Sequence, residues 1–89
     1  MSKIILITGA SSGFGKATAE KFAAAGWNLI LTARRNEMLD AVANKLESDF
    51  GIQTLRFYFD IRDKKACFDT IGNLPEAWQK VDIIVNNAG

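Results

Sequence analysis

Thr8-Gly9-Ala10-Ser11-Ser12-Gly13-Phe14-Gly15 gathers three glycines and three hydroxyl residues directly behind the apolar run Ile4 to Ile7. A glycine-rich turn between a strand and a helix lets backbone N–H groups approach an anion closely, and the helix N-terminus adds partial positive charge. The loop therefore reads as a phosphate site. The P-loop pattern G-x-x-x-x-G-K-[ST] is the nearest rival, but the stretch ending at Gly15-Lys16 has Ala10 where glycine is required and Ala17 where a hydroxyl must hold magnesium.

Three further clusters stand behind apolar runs. Arg34 and Arg35 follow Leu29 to Ala33, Asp60 and Ile61 follow Leu55 to Phe59, and Asn86-Asn87-Ala88-Gly89 follows Ile83 to Val85. Paired guanidinium groups supply forked donors suited to a phosphate. Cys67, the one cysteine, falls on the apolar side of a helical segment and reads as inert filler, and Trp27 and Trp78 read as covers for the edges of a core.

The elements that must carry these clusters follow from periodicity. Ile4 to Ile7 and Leu29 to Leu31 are continuous apolar runs, as in strands buried on both faces. Phe14 to Ala25 predicts a helix with Phe14, Thr18, Phe22 and Ala25 on its inner side and Gly26 as its left-handed stop. Asn36 is the expected N-cap of a second helix, with Leu39, Val42, Ala43, Leu46 and Phe50 inward and its end at Gly51. Leu55, Phe57 and Phe59 alternate with polar neighbours, the pattern of a half-exposed edge strand. Asp63 caps a third helix with Ala66, Cys67, Thr70, Ile71 and Leu74 on one side, interrupted from Gly72 to Pro75, before a last buried strand at Ile83 to Val85.

Strand and helix alternate throughout, and right-handed crossovers then give an α/β fold with a parallel sheet. The doubly wound order 3-2-1-4 places the alternating strand at an edge, as its pattern demands. The expected architecture is a Rossmann-type three-layer fold, with residues 1–89 forming one incomplete domain, the first half of a doubly wound sheet.

Composition narrows the chemistry. With 48% hydrophobic and 24% charged residues the chain belongs to the packed, globular class. A net charge of +1 gives no field for gathering nucleic acid or an acidic membrane. One cysteine and no histidine exclude an internal disulfide, a thiolate metal cage and imidazole catalysis. The apolar run behind Lys3 is too short for a signal peptide or a membrane span, so a reduced, cytoplasmic protein is expected.

T-G-x-x-x-G-x-G at Thr8 to Gly15, Asp60-Ile61 and Asn86-Asn87-Ala88-Gly89 stand in the order and at the strand ends that resemble the short-chain dehydrogenase/reductase family. The resemblance spans the whole chain. It implies that Gly9, Ser11, Ser12, Gly13, Phe14 and Gly15 hold a dinucleotide pyrophosphate, that Asp60 and Ile61 meet the adenine, and that Asn87, Ala88 and Gly89 meet the ribose and adjoining phosphate. An NAD-specific member would carry an acidic residue at the end of the second strand; Ala33 stands there, and Arg34 and Arg35 suit a 2′-phosphate, so NADP is the expected cofactor.

Family members use a tyrosine with a lysine four residues on, placed beyond the N-N-A-G strand. Tyr58, the sole tyrosine, is followed four residues later by Arg62 and is not that acid. The chain is thus expected to be the inactive cofactor half of a longer, homo-oligomeric enzyme acting on a small hydroxy or carbonyl substrate. Thr32-Ala33-Arg34-Arg35, Leu74 to Trp78 and Gly13-Phe14-Gly15 together look like the subgroup that oxidises serine, allo-threonine and related 3-hydroxy acids. The alternative is a nucleotide-binding module without catalysis.

Overall fold

A computed structural model describes residues 3–10, 13–34, 36–59 and 63–85. Strands β1 (Ile4–Thr8), β2 (Asn28–Ala33), β3 (Thr54–Tyr58) and β4 (Ile83–Val85) form one sheet in the order β3-β2-β1-β4, all parallel. Helices α1 (Gly13–Ala24), α2 (Asn36–Phe50) and α3 (Lys64–Gly72) make the crossovers, and a single 3₁₀ turn, Glu76–Trp78, precedes β4. The sheet order expected from the strand patterns is the one observed.

Side chains alternate across the sheet, so its two faces collect different cores. Ile5, Ile7, Leu29, Leu31 and Ala33 meet Ala19 and Ala23 of α1 and Leu39, Val42, Ala43 and Leu46 of α2. Ile4, Leu6 and Ile30 meet Leu74, with Leu55, Phe57, Trp78 and Val81 around them. The first cluster is the larger because two long helices cover it. On the second face no residue of α3 is buried; Ile71, expected inward, is 42% exposed, and Leu74, past the helix end, supplies the packing instead. A groove of about 310 Å³ remains between Leu6, Ile71, Leu74, Val81 and Ile84.

Several helix ends follow local chemistry. Gly26 and Gly51 take φ of 89° and 68°, the left-handed stops expected after α1 and α2. Asp63 caps α3, its carboxylate accepting from the Ala66 N–H at 3.0 Å. Asn36 differs from expectation: it is already the first residue of α2 and not the residue before it. Trp27 covers the core edge, its ring 4.9 Å from Phe22 in an edge-to-face contact and 5.3 Å beneath the Lys3 Nζ.

The inner face of α1 is also corrected. Gly15, Ala19 and Ala23 are buried, whereas Phe14 is 72% exposed, Ala25 is exposed and Phe22 is half-buried. A stripe of minimal side chains lets the helix backbone settle close to β1 and β2, and that geometry turns Phe14 outward and leaves Phe22 at the rim of the core. Enlarging the stripe should therefore hurt more than trimming the aromatic beside it. Ala19→Leu is expected to cost about 1–3 kcal/mol by overpacking, and Phe14→Ala about 0.5 kcal/mol or less. Denaturant unfolding of both variants measures the difference, and equal losses would restore Phe14 to the core.

Candidate functional site

Parallel strands open all their carboxyl ends on one edge of a sheet, and ligands of such sheets bind there. Here Thr8 and Gly9, Ala33 and Arg34, Tyr58 and Phe59, and Val85 mark the four ends. Backbone hydrogen bonds tie them together. The Ala10 N–H donates to the Thr32 carbonyl at 3.1 Å, joining the glycine loop to β2, and the Phe59 N–H donates to the Ala33 carbonyl at 3.1 Å, joining β3 to β2. The buried Thr8 hydroxyl donates to the Val85 carbonyl at 3.4 Å, reaching β4.

Within the loop, Gly9 and Gly13 take φ of 64° and 60°, a region a side chain enters only at a steric cost. These two conformations turn the chain from β1 into α1. Space around Gly13 is open, since a Cβ there would meet no atom within 4 Å, so its backbone conformation alone demands glycine. Gly15 is buried for the other reason, close helix packing. No acidic residue stands in the first turn of α1, which keeps the positive end of the helix dipole uncompensated by side chains there. Such a turn can hold an anion.

Arg34 is exposed at the end of β2, next to the buried and uncharged Ala33. Ser11, Ser12, Arg35, Asp60, Ile61, Asn87, Ala88 and Gly89 lie outside the described residues. Of the expected site residues, the fold thus brings Gly9, Gly13, Phe14, Gly15 and Arg34 to one sheet edge. Among the described residues no cluster of three metal-ligating side chains occurs.

A polar network that sequence reasoning missed runs along β3 beside this edge. Arg56 donates through Nη1 to Asp40 Oδ1 at 3.1 Å and through Nη2 to Asn44 Oδ1 at 2.8 Å and Glu47 Oε1 at 3.1 Å. Tyr58 Oη donates to Asp40 Oδ1 at 2.5 Å. At the other end of the strand, Glu47 Oε2 accepts from the Thr54 N–H and hydroxyl at 3.1 and 2.8 Å. Arg56 is thereby committed to α2. The Tyr58 hydrogen bond to Asp40 holds the phenol above its usual range, opposite to what an acid-base tyrosine at neutral pH needs.

The sequence profile of the short chain dehydrogenase family matches residues 3–89. The chain is 52% identical over 89 residues to sulfoacetaldehyde reductase 2 of Chromohalobacter salexigens, covering 100% of this chain and 34% of that protein. It is 48% identical over 90 residues to serine 3-dehydrogenase of Rhizobium radiobacter, again covering 100% of this chain and 34% of the relative. The crystal structure of L-sorbose reductase from Gluconobacter frateurii complexed with NADPH and L-sorbose superposes with a TM-score of 0.91 at 35% identity, covering 99% of this chain and 34% of that one. The chain spans about a third of the length of these relatives.

The Asp40–Tyr58 pair makes stability depend on pH in a calculable direction. The hydrogen bond from Tyr58, then the one from Arg56, holds the Asp40 carboxyl below the usual carboxylate range. A depressed folded value means that this contribution is fully present above the unfolded pKa, about 4, and is lost as pH falls through the lower folded value. Tyr58 is raised, so its contribution is present below the unfolded phenol pKa, about 10, and is lost as pH rises through the folded value. The melting difference between the protein and its Tyr58→Phe variant should stay level from about pH 5 to 9 and shrink at both extremes. A difference that grows above about pH 10 would contradict the hydrogen bond.

Proposed function

Because the chain belongs to the short-chain dehydrogenase family, we propose that it supplies the cofactor-binding half of an NADP-dependent oxidoreductase. The observation that carries the reading is the left-handed pair Gly9 and Gly13 leading into the first turn of α1, one strand away from exposed Arg34. Gly9, Ser11, Ser12, Gly13, Phe14 and Gly15 would hold the pyrophosphate, Asp60 and Ile61 the adenine, and Asn87, Ala88 and Gly89 the ribose and adjoining phosphate. Arg34 and Arg35 would read the 2′-phosphate that distinguishes NADP from NAD. The bound L-sorbose reductase and relatives named as NADP-dependent 3-hydroxy acid dehydrogenases support this choice.

The residues present suit that group. Backbone N–H donors and a helix N-terminus match a diphosphate, guanidinium forks match a phosphate monoester, and a small uncharged residue at Ala33 removes the repulsion that an aspartate would exert there. When bound, the nicotinamide supplies hydride chemistry; this chain's residues bind and orient it. Tyr58, facing Asp40 on the edge strand, takes no part in proton transfer. The complete protein would reduce or oxidise a small hydroxy or carbonyl compound, and a 3-hydroxy acid such as serine fits the resemblance to serine 3-dehydrogenase.

Cofactor titrations test the reading at its most specific point. NADP and NAD differ only in the 2′-phosphate, and charge-assisted hydrogen bonds are worth roughly 1.5–3 kcal/mol each. Replacing Arg34 and Arg35 with alanine should weaken NADPH by about tenfold or more and leave NADH nearly unchanged, and Ala33→Asp should shift the preference further toward NADH. Equal weakening of both cofactors would assign the arginines to the fold instead. The 89-residue chain is expected to bind without turnover, and NADPH consumption above a protein-free control would overturn that expectation.

A further inference from the structure

Tyr58 is the last residue of β3, two positions before Asp60, while Asp40 lies in the second turn of α2, whose start directly follows Arg34 and Arg35. Their hydrogen bond therefore joins the carboxyl end of β3 to the start of α2, beside the end of β2. Beside it, the backbone bond from Phe59 to Ala33 aligns the strands, and Arg56 anchors the middle of β3 to Asp40, Asn44 and Glu47. Both partners are accessible, Tyr58 exposed and Asp40 half-buried, so the bond holds by geometry and charge and not by enclosure in a core.

We propose that Asp40 and Tyr58 are positioning residues for the adenosine end of the cofactor, fixing the carboxyl end of β3 against the start of α2 at the edge where the cofactor would lie. The inference rests on the cofactor reading above. Arg56 completes the clamp by balancing the Asp40 charge, so that a carboxylate close to the start of α2 does not add a bare negative charge beside a phosphate site. The two ends of the network differ in consequence. Glu47 lies seven residues beyond Asp40, about 10 Å farther along the helix, and it holds Thr54 at the opposite end of β3. Breaking that end loosens the same helix on the same strand while leaving the ligand edge tied.

Titration calorimetry with adenosine 2′,5′-bisphosphate, which carries the adenine and the 2′-phosphate but no nicotinamide, measures the effect on the 89-residue chain, with melting curves run on every variant. Tyr58→Phe and Asp40→Ala should each weaken the bisphosphate about two- to tenfold, the worth of one intramolecular hydrogen bond. The double variant should lose little more than either single one, because both remove the same bond. Asp40→Asn keeps an acceptor for the Tyr58 hydroxyl and should restore most of the affinity lost in Asp40→Ala. Glu47→Ala should lower the melting temperature and leave the affinity within about twofold.

Variants that bind the bisphosphate as tightly as the parent chain would overturn the clamp, as would affinity losses in Glu47→Ala that track its melting temperature as closely as those of Tyr58→Phe. A parent chain that binds neither the bisphosphate nor NADPH would sink the cofactor reading, and the clamp with it. Binding by the parent together with indifference to Tyr58→Phe would sink the clamp alone.

Discussion

β1 is hydrogen-bonded along both edges, to β2 through residues 4–8 and to β4 through residues 5–7, and it is buried on both faces. A strand so enclosed has no route to water for its backbone groups, so its register must be right on both sides at once. That demand fixes where β1 stops, and the carboxyl ends of its neighbours stop beside it. The glycine turn, the basic residues behind β2 and the polar clamp at β3 share one edge because they are spliced onto that common stop. The Asp82 N–H donating to the Ile4 carbonyl, with its own carboxylate accepting from the Ile4 N–H, both at 2.9 Å, pins the same register from the far end.

How much of this was readable in the sequence depends on how local each signal was. Strands β1 and β2 announce themselves through uninterrupted branched apolar runs, and Gly26, Gly51 and Asp63 mark helix ends through conformations and capping that involve only near neighbours. The sheet order followed because the alternation in β3 is compatible only with a partly covered strand. The glycine loop was legible for the same reason: its spacing is a statement about one turn.

The phase of α1 was misread because hydropathy ranks phenylalanine above alanine, whereas the contact with the sheet is governed by how near the helix axis can come. Gly15, Ala19 and Ala23 win that contest by being small, which leaves Phe14, Ala17, Thr18, Lys21 and Phe22 along an outer groove. Similarly, Ile71 looked inward by spacing, but a nine-residue helix with no buried side chain does not press on the sheet firmly enough to hide it. The Arg56 network left no trace in the sequence, since its partners on α2 and β3 are separated by 7 to 18 residues and become neighbours only when β3 is laid against α2. Charged residues at such positions look like ordinary solvated surface until the crossover is closed.

The placement of β1 has a consequence for how the chain comes into being. Synthesis delivers β1 before either of its partners, and one of them begins 79 residues later, at Ile83, facing Ile5. Until that segment emerges, one edge of this apolar strand stands open, and pairing across so long a loop is entropically slow. The nascent polypeptide must therefore keep this hydrophobic segment half-paired until β4 emerges, a condition in which misplaced strand pairing and chaperone capture compete with the native closure. The Ile4–Asp82 double hydrogen bond, which forms only when the correct end arrives, acts as the latch that ends the competition.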